Sequence, residues 1–171
     1  MIFIKYILIF FIFTIFSLIG NLYSKKYINR LKELEKLKSA LNIFKAKIKF
    51  TYLTIQEIFN QIYENNQDNI GEIFKKANDY MNEENSQVAW ERALENVKEK
   101  TSLNEEDITA LKTLGKMLGN TDVEGQVSQI ELTEQIISER IENAKLDKER
   151  NSKLYKTLGI TTGLTIAIIL M

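Results

Sequence analysis

The chain has 171 residues, with 23 Lys and Arg against 23 Asp and Glu, and contains neither cysteine nor histidine. This composition excludes a disulfide framework, a Cys/His zinc site and a Ser–His or Cys–His nucleophile pair, and the balanced charge predicts no nucleic-acid partner. We expect no cofactor and no enzymatic activity. Because there is no proline and only seven glycines, we expect an almost wholly helical protein. The pattern along the chain predicts an all-α fold, an antiparallel bundle of about six helices flanked by two transmembrane helices.

Residues 6–22 form the first apolar segment, which is uncharged and rich in Ile, Phe and Leu. Its 17 residues lie at the short end of the length that spans a bilayer as a helix. A cleaved signal peptide is the alternative, but it requires small residues at its cleavage site, and those around Gly20 fit poorly. We therefore predict a retained N-terminal transmembrane anchor over residues 1–23.

The stretch from residue 24 to residue 156 is predicted to form one helical bundle. Its first helix is long and carries Leu and Phe at helical spacing. Ser102 and Glu105 have the spacing of a capping box, which predicts a helix start. Short connections favour antiparallel packing of neighbouring helices. The predicted helices cover residues 24–50, 54–63, 69–81, 86–99, 104–118 and the long final helix described next.

Residues 122–171 contain no proline and are predicted to form one long helix. After a charged collar at residues 145–156 comes an uncharged run, residues 157–171, which is interpreted as a C-terminal transmembrane segment. At ~1.5 Å per residue this run covers ~22 Å, against a hydrocarbon core of ~30 Å. Local thinning and snorkelling by Lys153 and Lys156 can close that gap. The alternative is a buried core helix at the end of the chain.

Basic residues flank both apolar segments on the side of the bundle, so the positive-inside rule predicts a cytoplasmic domain with both termini outside. Attraction to anionic lipid headgroups is a further expectation for these residues. Gly159 and Gly163 are four residues apart, a spacing that allows another membrane helix to approach closely. That helix is either the first span, near Ser17 and Gly20, or a span of a second subunit.

Three residues of the bundle are predicted to pack helices together. Trp90 is the one tryptophan of the chain and lies on an amphipathic helix, where a core anchor is more usual than a binding hot spot. Gly115 lies within a predicted helix, where glycine costs about 1 kcal/mol relative to alanine. We therefore interpret Gly115 and Gly119 as places where a neighbouring helix crosses closely.

Acidic residues are concentrated far from the apolar segments, with 13 acidic and five basic residues between positions 57 and 107. This surface is interpreted either as solubilising or as a docking face for a basic cytoplasmic partner. A catalytic carboxylate pair is not expected, because adjacent residues on a helix do not face each other. The candidate docking residues are Glu83, Glu84, Glu91, Glu95, Glu99, Glu105, Glu106 and Asp107.

Two stretches of the second half carry a family resemblance. One is Leu-Lys-Thr-Leu-Gly-Lys-Met-Leu-Gly at residues 111–119, after Ala89, Trp90 and Leu94. The other is Lys-Leu-Tyr-Lys-Thr-Leu-Gly at residues 153–159, which runs into Gly163 and the apolar tail. With these residues the chain resembles the stage III sporulation protein AB family of endospore-forming bacteria over nearly its whole length. It departs from the family pattern at Lys45 and Lys47, where acidic residues are usual.

That family is similar to the inner-membrane F protein of type II secretion systems, whose cytoplasmic domains are six-helix bundles. The resemblance implies a platform subunit of the channel-like complex between mother cell and forespore. The implied partners are a cytoplasmic secretion-type ATPase, other membrane proteins of the sporulation complex and the lipid bilayer, and a homo-oligomer is compatible with this role. The alternative is an exported, tail-anchored helical module that binds envelope components.

Overall fold

The computed structural model describes residues 2–170, which are helical apart from short connections. Met1 and Met171, the outer ends of the two predicted membrane segments, lie outside the described residues. The last two helices are joined by a π-helical turn, Lys148–Ser152, so that one helix runs from Val123 to Leu170. The prediction of an all-α protein with about six helices is confirmed. The helices are α1 (Ile2–Phe50), α2 (Ile55–Asn65), α3 (Asn69–Tyr80), α4 (Ser86–Lys98), α5 (Glu105–Gly115), α6 (Val123–Asp147) and α7 (Lys153–Leu170).

Side-chain caps determine where the short helices begin. The hydroxyl of Thr54 accepts the N–H of Glu57, and the Glu57 carboxylate accepts the N–H of Thr54 in return, at 3.3 and 2.7 Å. These two bonds close a capping box at the start of α2 and lower the pKa of Glu57. Asp68 caps α3 by accepting the N–H groups of the first turn, and Asn85 caps α4 in the same way.

The predicted start of α5 near residue 104 agrees with the structure, but Ser102 and Glu105 do not form the capping box that their spacing predicted. Asn104 caps this helix, since its side chain accepts the N–H of Asp107 at 2.9 Å while the Asp107 carboxylate accepts the N–H of Asn104 at 3.0 Å. Ser102 lies in the preceding loop, where its N–H donates to the carboxylate of Glu33 at 2.6 Å. Burial raises the pKa of Glu33, although the N–H of Ser102 acts in the opposite direction.

The described residues cluster into two compact units. The first, the core unit, is Lys32–Glu142. The second, the membrane unit, combines the residues up to Leu31 with those from Asn143 onwards. The predicted domain limits at residues 23 and 156 concern the bilayer boundary and stay a prediction.

An aromatic cluster forms the centre of the core unit. The ring of Phe59 lies 5.2 Å from Phe44, 5.1 Å from Phe74 and 5.6 Å from Trp90, measured between ring centroids. All four side chains are fully buried and come from α1, α2, α3 and α4 in turn. Rings at such distances and inclined to one another pack favourably. The cluster therefore joins four helices at one point.

Apolar side chains of the membrane unit point outwards. Phe10 is 71% exposed on α1 and Ile169 is 76% exposed on α7. The alternative of a buried core helix at the end of the chain is therefore wrong, because its side chains do not enter a core. Two helices, Phe3–Phe50 and Val123–Leu170, are long and apolar enough to cross a membrane. Together with exposed apolar side chains, this fits a membrane localisation.

A close approach that the sequence does not reveal lies between α2 and α3. Gly71 is buried in the first turn of α3, and a Cβ atom at this position would overlap the carbonyl oxygen of Asn66. The clash would be with backbone, which cannot rotate away as a flexible side chain can. Only glycine therefore fits here without movement of the connection.

The substitution Gly71→Ala is expected to lower the free energy of unfolding by about 1–3 kcal/mol, because the new methyl group must displace the backbone of Asn66. Urea unfolding of the full-length protein, followed by the fluorescence of Trp90, measures this loss. Ser39→Ala, on the exposed face of α1, is the control and should change the stability by less than about 0.5 kcal/mol. Equal stability of Gly71→Ala and the parent protein would contradict the close approach.

Candidate functional site

The predicted docking carboxylates lie on three consecutive segments of the chain within the core unit. They occupy the turn between α3 and α4, α4 together with its C-terminal cap residue Glu99, and the first turn of α5. Five of the eight are exposed, two are half-buried and one is fully buried. The exposed residues are Glu83, Glu95, Glu99, Glu105 and Glu106, the half-buried ones are Glu84 and Glu91, and the buried one is Asp107.

Asp107 is buried and stabilises the start of α5. Its side chain has no exposed fraction, and its carboxylate accepts the N–H of Asn104 as described above. A carboxylate at the start of a helix also interacts favourably with the helix dipole. Asp107 therefore belongs to the cap of α5 and does not contribute to an exposed docking face.

Four of the remaining carboxylates already have cationic partners within the core unit. The Lys112 ammonium, 2.5 Å from the Glu95 carboxylate, lowers the pKa of Glu95, and the hydrogen bond to Glu105 raises the pKa of Lys98. Exposed pairs of this kind contribute only about 0–1 kcal/mol, so the cations of a partner can replace them. The pairs are Glu84–Arg92, Glu95–Lys112, Glu105–Lys98 and Glu106–Arg140.

A groove between α5 and α6 brings part of the acidic surface together with the final helix. Its volume is about 430 Å³. Glu105 and Glu106 form one rim, and Arg140 of α6 reaches across to Glu106. The Nε atom of Arg140 is buried and has no hydrogen-bond partner among the described residues. This groove is not predictable from the sequence, because its two walls are far apart in the chain. The lining residues are Glu105, Glu106, Thr109, Ala110, Thr113, Ile136 and Arg140.

Trp90 and Gly115 meet in the core unit. The indole N–H donates to the carbonyl oxygen of Leu111 at 2.7 Å, and a Cβ atom on Gly115 would lie 2.5 Å from Cδ1 of Trp90. Gly119 has a φ of +72°, which is the left-handed region that favours glycine. A Cβ atom there would lie 3.0 Å from Oγ of Ser86. The structure thus places side chains of α4 against both glycines.

The membrane unit pairs α1 with α7 at glycine residues. A Cβ atom on Gly20 would lie 2.7 Å from the carbonyl oxygen of Tyr155 and 2.8 Å from Cα of Gly159. One turn further along α7, a Cβ atom on Gly163 would lie 3.1 Å from a ring carbon of Phe13. Small residues at such a contact let the two backbones approach closely. Ser17, the fourth predicted residue, is half-buried on α1.

Polar and aromatic contacts lie at one end of this helix pair. The hydroxyls of Ser24 and Ser152 are 2.7 Å apart, and the ring of Tyr155 stacks on Tyr23 and Tyr27 at 5.6 and 5.7 Å. These contacts are not predictable from the sequence, because isolated Ser and Tyr residues on a helix form no pattern. A belt of tyrosines is typical of the boundary between membrane and water.

Arg30 and Asp147 add an ion pair to the same end of the membrane unit. Their side chains are 3.1 Å apart, and the Arg30 side chain is only 10% exposed. The carboxylate therefore compensates a largely buried guanidinium, whose charge is costly to bury without a partner. Across residues 2–170, no group of three or more Asp or Glu side chains is arranged to hold a metal ion.

Comparisons with known proteins agree with one another. The family model for stage III sporulation protein AB matches residues 5–171. Stage III sporulation protein AB of Bacillus subtilis (strain 168) is 25% identical over 150 residues, which cover 86% of this chain and 88% of that protein. A solved structure of a stage III sporulation protein AB is similar with a TM-score of 0.67 at 22% identity, covering 71% of this chain and 98% of the other. This last likeness shows a shared fold.

The contact between α1 and α7 predicts a disulfide between cysteines introduced at Phe16 and Gly163. A Cβ atom on Gly163 would lie 3.3 Å from Cβ of Phe16, so a separation of the two helices by a few tenths of an ångström reaches the ~3.5–4.5 Å found in disulfides. The chain has no other cysteine, so loss of both free thiols on mild oxidation reports the bond. Mass tagging of free thiols in membranes measures it.

Ile15→Cys with Gly163→Cys is the matched control for this disulfide. Ile15 is 39% exposed on a different side of α1, so this pair should keep its free thiols. A disulfide that forms between two chains, visible as a dimer on a non-reducing gel, would argue against contact of the two helices within one chain.

Proposed function

The chain belongs to the stage III sporulation protein AB family, and we propose that it is a non-enzymatic platform subunit of the channel-like complex between mother cell and forespore. Family membership establishes a role in sporulation, and the two apolar helices fit a membrane localisation. In this proposal a cytoplasmic secretion-type ATPase docks on the core unit, and the apolar segments associate with other membrane proteins of the complex.

The observation that carries the proposal is the position of the groove between α5 and α6. Its second wall, with Ile136 and Arg140, belongs to the helix Val123–Leu170, which continues into the apolar C-terminal segment. A partner bound in the groove therefore touches the same helix that supplies a candidate membrane span. That continuity supports a coupling role better than an acidic surface on a separate helix would.

The chemistry of the groove determines the kind of element that it would accept. Its rim has two glutamates, and its floor includes Ala110 and the half-buried Ile136. A short amphipathic helix with Lys or Arg at its edge and an aliphatic residue at its centre matches both features. Such a cation would exchange with Arg140 at Glu106. Binding of this kind weakens as the salt concentration rises, because the charges are near the surface.

The double substitution Glu105→Lys and Glu106→Lys is expected to weaken binding of the ATPase from the same organism at least about tenfold, because like charges would face each other at the rim. Glu64→Lys with Glu124→Lys changes the net charge equally at exposed positions outside the groove and should leave affinity nearly unchanged. Titration of the full-length protein in detergent micelles with purified ATPase measures both. Equal affinities of the two variants would rule out the groove as the docking site.

We also propose that the core unit lies in the mother-cell cytoplasm with both chain ends outside. A cysteine at Asn96, exposed on α4, should then be protected from a membrane-impermeant thiol reagent in intact cells, while one appended after the last residue should react. After permeabilisation both should react. Labelling of Asn96→Cys in intact cells would instead favour the exported, tail-anchored module.

A further inference from the structure

A second groove lies in the membrane unit, where the π-helical turn meets α7. Its volume is about 380 Å³. One end is charged and the other is apolar, so the groove runs along the helix from the charged collar towards the apolar tail. The lining residues are Glu149, Arg150, Lys153, Leu154, Thr157 and Leu158. Arg150 and Leu158 are eight residues apart, or ~12 Å along the helix axis.

This groove faces away from α1. The side of α7 that contacts α1 carries Tyr155, Gly159 and Gly163, whereas Leu154 and Leu158 are 47% and 50% exposed. Because α7 is a candidate membrane span, these leucines are positioned to contact lipid. The charged end of the groove then lies at the level of the headgroups.

The cations of the groove have no acidic partner within the described residues. Arg150 and Lys153 are both exposed and make no ion pair there. Asp147, the nearest acid before the groove, is bound to Arg30. Glu149 is thus the only acidic residue of the lining. The charged end keeps a net positive charge that an anion can neutralise.

We propose that this groove binds one anionic phospholipid of the surrounding bilayer. The phosphate would accept hydrogen bonds from Arg150 and Lys153, and an acyl chain would lie along Leu154 and Leu158. Guanidinium and ammonium groups bind phosphate strongly, and basic residues next to a membrane helix attract anionic lipids. The Glu149 carboxylate opposes the headgroup charge and weakens the affinity. The inference requires the membrane placement of α7 but not the docking of an ATPase.

The test is native mass spectrometry of the full-length protein in detergent, titrated with phosphatidylglycerol and, separately, with phosphatidylcholine. The parent protein should retain one phosphatidylglycerol and bind phosphatidylcholine more weakly. Arg150→Gln with Lys153→Gln should weaken phosphatidylglycerol binding on the order of 30-fold. Lys25→Gln with Lys26→Gln removes the same charge from exposed positions of α1 and should weaken it less than about threefold.

A substitution that is expected to strengthen lipid binding distinguishes loss of the site from misfolding, because a misfolded variant would not bind more tightly. Glu149→Gln should strengthen phosphatidylglycerol binding about fivefold, because it removes the carboxylate from the charged end. Equal losses in the two double variants would show diffuse attraction and overturn a defined site. Displacement of the lipid by millimolar inorganic phosphate would assign the groove to soluble anions and would overturn the proposal as well. None of these outcomes depends on whether an ATPase binds the core unit.

Discussion

The core unit depends on the contact between Trp90 and α5. The indole is fully buried, and its N–H is satisfied by the carbonyl oxygen of Leu111. Its ring edge lies where a side chain on Gly115 would be, and its ring centroid lies 5.6 Å from that of Phe59 and 5.4 Å from that of Phe74. A large aromatic side chain with one polar atom can be buried only where a partner accepts its hydrogen bond and a small residue makes room. Trp90 meets both conditions, and its contacts join α4 to α2, α3 and α5.

Features that depend on local pattern were predictable from the sequence. Helical periodicity and the absence of proline predicted the all-α fold and the number of helices, and the structure confirms both. Features that depend on contacts between different elements were not predictable. Gly71 is required by the backbone of Asn66 in the preceding connection. The N–H of Ser102, which a capping box would pair with Glu105, is bound instead by Glu33 of α1. In each case the deciding atom belongs to another element, so no spacing rule could identify it.

The same distinction applies to the candidate docking surface. Counting charges along the chain identifies an acidic region, but it cannot identify which cations fold back onto it. Arg140 is 34 residues from Glu106, and Lys112 is 17 residues from Glu95. These pairs turn a run of acids into a surface of mixed charge. The affinity of a basic partner therefore depends less on its net charge than on whether one of its cations can replace a cation that is already paired on this surface.

The π-helical turn allows residues on both sides of it to face α1. Asp147 contacts Arg30, and Ser152, five residues later, contacts Ser24, so both face α1. In a regular α-helix, at 3.6 residues per turn, five residues amount to a rotation of about 140° beyond a full turn, which would turn one of them away. Hydrogen bonds from i to i+5 place such residues about one turn apart on the same side.

Beyond the π-helical turn the helix is regular again. Counted from Ser152, it places Tyr155, Gly159 and Gly163 at steps of three or four residues, so that all three lie against α1. The outward position of Leu154 and Leu158 follows from the same geometry, because α7 can pack its small residues inwards only if its large ones point to the other side. The π-helical turn thus determines both which face of α7 meets α1 and which face carries the second groove.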